Sequence, residues 1–298
     1  MTPVKTSWPD LPLHVWKETC DAIHMYSQIP GKLRLELCPR EPEWQHTALY
    51  VNSRGLTTGP IPYREHTFEF QFNFLEHYVE ISTSWGPTAS IPLEPRTVAD
   101  FYTEVMASLR QLEIDVTINP KPQEVANPIP LNEDTTHDGY DEAHVGRFWT
   151  ILSQVDTVLR EYRAPFRGRH SLVQFFWGAF DLAYFRFTGR PAGPPPGANL
   201  IMREGADAEV ICAGFWFGDE RLAEPAFYSY VFPKPDGLES AAIRPAAGGW
   251  NKDIGEFILR YADVRATPSP RAAILEFLNR SYDAAVAAAK ASTGTTHR

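Results

Sequence analysis

Five polar side chains, His14, Lys17, Asp21, His24 and Gln28, recur at spacings of 3, 4, 3 and 4 residues, which on a helix places them on one face. An Asp one turn before a His can fix the imidazole tautomer and raise its basicity. His24 is therefore the first candidate general acid or base, with Gln28 to orient what it acts on. A solvated helix face is the alternative reading of the same stripe. A second set is cationic: Arg160, Arg163, Arg167, Arg169 and His170 lie together, and Lys32 and Arg34 follow a similar Gly-basic break earlier in the chain. Guanidinium forks bind carboxylate or phosphate oxygens in pairs, which makes Lys32, Arg169 and His170 candidate anchors for an anion. Surface pairing with Asp156, Glu161 or Glu36 is the competing reading. Third is Asp181, inside the apolar run Phe175–Phe185. A carboxylate buried there needs a cation or donor beside it, and pocket carboxylates with shifted acidity do proton-transfer work; a turn residue or a structural ion pair would explain it equally. His46 and Tyr50, four apart on an expected strand, share a face and join the ligand-binding candidates, as does Trp177.

Several chemistries lack their signatures. His46, His66, His77, His137, His144 and His170 form no HxH or HExxH spacing, so no metal and no cofactor is expected. No serine sits in a GxSxG elbow, no cysteine lies beside a histidine, and no GxGxxG or Walker loop follows a strand.

The elements that must position these residues read as a repeated unit, clear at Trp16–Leu37 and looser at Trp149–Trp177. Each copy is an amphipathic helix opened by a tryptophan, then Gly31-Lys32 or Gly168-Arg169, then a strand. Apolar positions predict a helix over 13–29, stopped by Pro30-Gly31, and the alternation of Leu33, Leu35 and Leu37 with charged residues predicts a strand. Phe68, Phe70, Phe72 and Phe74 alternate with Glu69, Gln71 and Asn73, a strand expected to pair with His77–Ser84. Thr97 with Asp100 opens a helix, and Ile114, Val116 and Ile118 predict a closing strand. After the proline-rich stretch come a helix over 141–163, strands within 172–187, 209–217, 226–232 and 256–261, and a last helix from Ser269-Pro270 to about Lys290. Strands and helices are segregated, which predicts an α+β fold of two related helix–antiparallel sheet–helix halves fused into one body. The expected division is an N-terminal half over 1–118, a connector over 119–139, a C-terminal half over 140–290 and a tail over 291–298.

The 298 residues carry a net charge of −9 with no long basic run, which disfavours nucleic acid as a partner. No stretch is apolar enough for a membrane span. Three widely spaced cysteines suit a reducing cytoplasm. An aromatic content of 13% fits either a ring-rich core or a ring-lined pocket.

The stretches Trp8-Pro9-Asp10-Leu11-Pro12, His24–Lys32, Gly55-Leu56-Thr57-Thr58 and Phe175-Phe176-Trp177-Gly178 together resemble a bacterial family known as a conserved domain of unknown function. The resemblance implies a bacterial, cytoplasmic protein and carries no activity. The residues themselves lead to the expectation of a small anionic, partly aromatic or apolar metabolite bound in a cleft between the halves. Where chemistry follows, metal-independent acid–base catalysis by His24 and Asp181 is expected. The alternative is a non-catalytic interaction or scaffold protein whose rings are only core. Oligomeric state is left open.

Overall fold

The computed structural model describes residues 8–194, 196–198 and 200–294. Helix α1 (Leu13–Leu37) does not stop at Pro30-Gly31 but runs through both. Neither residue there is a signal to end. Gly31 sits under the indole of Trp177, where a Cβ would fall 2.2 Å from the ring, so the glycine is a requirement of packing. Alternation over 32–37 misled for a related reason. Lys32 and Arg34 are themselves buried, with Lys32 Nζ donating to Lys121 O at 2.6 Å and Arg34 to His46 O at 3.0 Å and to Thr58 O. Charged and apolar residues therefore do not mark outside and inside in this stretch.

A 3₁₀ turn (Pro42–Thr47) leads into the first antiparallel sheet: β1 (Tyr50–Val51), β2 (Leu56–Thr57), β3 (Ile61–Tyr63), β4 (His66–Asn73), β5 (Tyr78–Thr83) and β6 (Thr88–Pro92). Its order is β1-β2-β4-β5-β6, with β3 also on β4. The four alternating phenylalanines all point into the core, and Phe70 stands opposite Ile81 in the β4–β5 pair. Helix α2 (Val98–Gln111) is capped by Thr97, whose Oγ1 accepts from Asp100 N at 3.1 Å. Ile114 and Ile118 are buried, yet the expected strand there does not form. The stretch 112–141 crosses without regular structure to α3 (Glu142–Arg163), capped by Asp141.

The second sheet, in the order β7-β8-β9-β10-β12-β11, comprises β7 (Gln174–Phe176), β8 (Asp181–Pro191), β9 (Ala208–Trp216), β10 (Ala226–Phe232), β11 (Gly249–Asn251) and β12 (Glu256–Arg260). A one-and-a-half-turn helix α4 (Leu200–Gly205) lies between β8 and β9. The short α5 (Tyr261–Arg265) and the long α6 (Pro270–Gly294) follow. Helix α6 thus outlasts the expected end at Lys290 and takes in the start of the expected tail; residues 295–298 of that tail lie outside the described residues. Both halves carry helix, antiparallel sheet and helix in the same order, so the fold is α+β. The sheets meet edge to edge, where Leu49 and Phe175 exchange two backbone hydrogen bonds of 2.8 Å.

One hydrophobic core takes in the helices and one face of each sheet. Phe148 of α3 is at its centre, with ring centroids 5.5 Å from Trp16, 5.6 Å from Phe74, 5.6 Å from Phe180 and 4.7 Å from Phe217. The opposite faces of the two sheets differ. On the first sheet that face carries Glu69, Gln71 and Glu80, the usual polar-out pattern of an antiparallel sheet. On the second it carries Ala183, Phe185, Cys212, Trp216, Tyr228 and Tyr230, and β9 is buried along almost its whole length on both sides. A second apolar surface needs a cover, and among the described residues the 3₁₀ turn, α4 and connecting segments at Glu124, Ala179, Arg221 and Ile254 border it.

Candidate functional site

The stripe on α1 comes together around backbone. Gln28 Oε1 accepts from Gln123 N at 2.9 Å while its amide donates to Gln123 O at 3.0 Å, so it replaces a strand partner for that one residue of the stretch 112–141. His24 Nε2 lies 2.9 Å from Gly178 O. A carbonyl can only accept, so this nitrogen carries the proton in the neutral ring. Burial lowers the His24 pKa to about 4, against the opposing effect of the Gly178 and Trp177 carbonyls. Phe180 packs on the ring at 4.9 Å. Asp21, expected to fix the His24 tautomer, is bound instead to Lys17 at 2.7 Å. Trp177 donates to Thr47 O at 2.9 Å and lies beside Lys32. His46 is buried, accepts from Glu41 N at 3.2 Å and stacks on Trp44; Tyr50 lies under Arg34. His170 is held by Ser171 O at 2.7 Å and Arg163 at 3.2 Å. These side chains pin loops and strand ends, and none of them lines either of the two hollows described next.

The cavity lies one layer further out. On the outer face of the second sheet a hollow of about 530 Å3 is lined by Asp181, Ala183 and Phe185 of β8, Trp216 of β9, Tyr228 and Tyr230 of β10, and Glu256 of β12. Its rim is supplied by Glu43 and Trp44 of the 3₁₀ turn, Glu124, Arg221, and Ile201, Met202 and Ala206 at α4. Of the candidates read from the sequence, Asp181 lines it; Arg169 approaches from outside, 3.7 Å from Glu43. A larger open depression of about 680 Å3 beside Trp8 carries cations already paired, Arg265 with Asp10 at 2.8 Å and Arg271 with Glu161 at 2.6 Å.

Local structure explains how the lining is held. Asp181 and Tyr228 are two strands apart, and the phenol spans the gap over Gly214, where a Cβ would meet its Cζ at 2.3 Å. The Tyr228 hydroxyl donates to Asp181 Oδ2. Glu124 follows the residue gripped by Gln28 and has φ +56°; its carboxylate lies against Gly178, 2.4 Å from the place of a missing Cβ. The α1 stripe therefore positions a pocket acid without touching the pocket. Glu43 and Trp44 both occupy the left-handed region, φ +54° and +59°, a strain that persists only where the surroundings enforce it. Trp44 Nε1 donates to Ile201 O at 2.8 Å, and its ring lies against Gly205, fastening α4 over the hollow.

The site is acidic and poorly neutralised. Asp181 is pushed up to about 7 chiefly by burial, with the Glu124 and Glu256 charges adding and the Tyr228 hydrogen bond opposing. Burial pushes Glu256 to about 7, and raises Glu124, whose outer side stays open to solvent. Glu43 also rises to about 7, from burial and the neighbouring Asp207, with Arg169 opposing. Carboxyl groups poised near neutrality beside a phenol can bind a proton, give one up, or hold a cation. Sequence reasoning missed Tyr228, Tyr230, Trp216, Glu256, Glu124, Glu43 and Trp44. A signal existed for two: Tyr228 and Tyr230 alternate with Ser229 on one strand, but such a pattern looks the same over a core as over a pocket.

Fold and site thus define an α+β protein with an acid-lined, aromatic pocket on the outer face of its second antiparallel sheet. No helix among the described residues is long and apolar enough to cross a membrane. The chain belongs to the family of unknown function DUF5996, whose model matches residues 8–297. No curated protein and no solved structure matches it.

Proposed function

We propose that this protein binds a small molecule with an apolar or aromatic body in the hollow on its second sheet. The observation that carries the reading is the burial of Asp181, with Glu256 beside it, on an otherwise aromatic sheet face where neither forms an ion pair and only the charge of Arg221 reaches Glu256. Burying a carboxyl group without a counter-ion costs several kcal/mol, on the order of what one mutation can do to stability, and such a cost is kept at sites that act on something. Any proton transfer falls to Asp181 and Tyr228, which share a hydrogen bond inside the hollow. His24, neutral and engaged with Gly178, is a positioning residue. A location in a reducing, cytoplasmic compartment is supported by three unpaired cysteines.

The test is a thermal-shift screen of a small-molecule panel against the full chain and an Ala206→Trp variant, whose indole would fill the hollow from its rim. A ligand that binds only the folded state raises the melting temperature by mass action. Compounds that shift the parent and not the variant are the expected result. A panel in which every active compound shifts both alike rejects the pocket.

A further inference from the structure

Resting on that pocket, we propose that its ligand is an organic cation, a protonated amine or quaternary ammonium carried on an aromatic or apolar body, with the charge seated between Asp181 and Glu256. The hollow faces four carboxyl groups, Glu43, Glu124, Asp181 and Glu256, and one cation, Arg221. That cation is already engaged, its Nε donating to Asp219 at 2.9 Å while the guanidinium lies over the Trp216 ring at 5.1 Å. Asp181 receives the Tyr228 hydroxyl and its own backbone N–H, and Glu256 makes no side-chain hydrogen bond or ion pair among the described residues, the Arg221 charge reaching it only at longer range. Glu43, nine-tenths buried at the rim, has its Oε2 3.7 Å from Arg169 and its carboxyl beside Asp207, while its Oε1 has no hydrogen-bond partner. Asp181 and Glu256 are the acceptors left for a positive group. The walls suit one too: Tyr228 and Tyr230 stack in parallel at 6.2 Å, and Trp216 and Phe185 flank them, and ring faces attract ammonium groups. No three His, Cys, Asp or Glu side chains among the described residues converge as a metal shell requires, so the lining suits a charge with an organic body rather than a bare ion. The anionic ligand expected from Lys32 and Arg169 has less support, because both side chains are engaged outside the hollow.

Proton linkage supplies an independent readout. The groups facing the hollow are Asp181 from β8, Glu256 from β12, Glu124 before α3, Glu43 from the 3₁₀ turn, Tyr228 and Tyr230 from β10 and Arg221 from the β9–β10 loop, with Cys212 of β9 against Tyr228 and with Asp207 and Arg169 beside Glu43. Burial holds the two phenols and the thiol well above their usual range, so only the carboxyl groups titrate near neutrality. A bound cation stabilises their ionised form, and binding must then release protons.

The experiment is calorimetry on the full chain with four probes of one shape: 2-phenylethylamine, benzyltrimethylammonium, 2-phenylethanol and 3-phenylpropionate. Both cations should bind at least about tenfold more tightly than the alcohol, and the carboxylate least. Amine affinity should fall as pH is lowered from about 8 to about 5, with proton release near neutral pH seen as a dependence of the heat on buffer ionisation enthalpy. Asp181→Asn with Glu256→Gln should remove that preference while leaving the alcohol's affinity within about twofold. Binding of the alcohol as tightly as the cations, or tighter binding of the carboxylate, overturns the cation and leaves the pocket standing. Binding of any probe that is unchanged by Ala206→Trp, or no binding by any of the four, overturns both.

Discussion

Single residues carry most of what is unusual in this protein, and one of them is a glycine. The Trp177 indole fills the space where a Cβ on Gly31 would lie, so Gly31→Ala should cost about 1–3 kcal/mol through forced displacement of the ring, despite alanine's better helix propensity. Chemical denaturation of the variant checks this, and a variant as stable as the parent would mean the ring can move aside. From the sequence, Pro30-Gly31 read as a stop because a packing glycine and a terminating glycine look alike until the partner, far along the chain, is known. Asp181 was legible as a carboxylate out of place; its Tyr228 partner was not, since two strands separate them. The pair also gives stability a pH dependence. Asp181 and Glu256 keep their protons to about pH 7 in the fold, against 3.8 and 4.5 ordinarily. The folded chain thus binds more protons than the unfolded one across that interval. The stability these groups contribute is complete below about pH 4 and lost as pH rises to about 7. His24, lowered to about 4 from 6.5, works in the opposite direction, removing stability as pH falls. Asp181→Asn should therefore be more stable than the parent at pH 8 by about 1–3 kcal/mol and lose that advantage near pH 4. Urea melts of both chains at the two pH values decide it, a constant difference being the contrary result.

At the scale of elements, periodicity served where one side of an element faces solvent and failed where both are covered. The β4 phenylalanines, the Thr97 cap and the span of α3 were readable because core and water alternate there. Lys32 and Arg34 are buried by backbone carbonyls that belong to distant loops, so their charge gave the wrong side. Similarly, β9 is enclosed on both faces, and its composition could not announce that one of them is a pocket wall. The stretch 112–141 shows how an element without regular structure is still fixed. Gln28 satisfies both backbone groups of Gln123, and Gln28→Ala leaves them without those partners at a cost of about 1–3 kcal/mol. Amide hydrogen exchange should quicken around Gln123 and Glu124 in that variant while β4 and β5 stay protected. Faster exchange spread evenly over the chain would deny Gln28 this local role. A different element, α6, is tied to the second sheet through Arg186. Its guanidinium is buried and donates to Tyr162 O at 2.7 Å, with the Tyr282 ring at 4.5 Å and the Tyr162 ring at 3.8 Å.

Over the whole molecule, two antiparallel sheets each lie between helices in chain order, and they do not have separate interiors. Phe148 contacts rings from both, so Phe148→Ala should destabilise the whole chain by about 3–5 kcal/mol and both halves should still melt together. Tryptophan fluorescence and far-ultraviolet circular dichroism are expected to trace one coincident transition; separate midpoints for the two signals would show that the halves unfold independently. What the sequence could not convey at this scale is which surface remains uncovered, because that depends on where α4 and the 3₁₀ turn come to rest after everything else has packed.

The pair of backbone bonds between Leu49 and Phe175 restricts how a ligand of the proposed pocket could get in or out. Spreading the halves like a clamshell would rip that weld and cleave the ring cluster behind it, so such a ligand would have to use the outer mouth while the chassis stays rigid. A covalent staple across the weld would then leave exchange rates as they were.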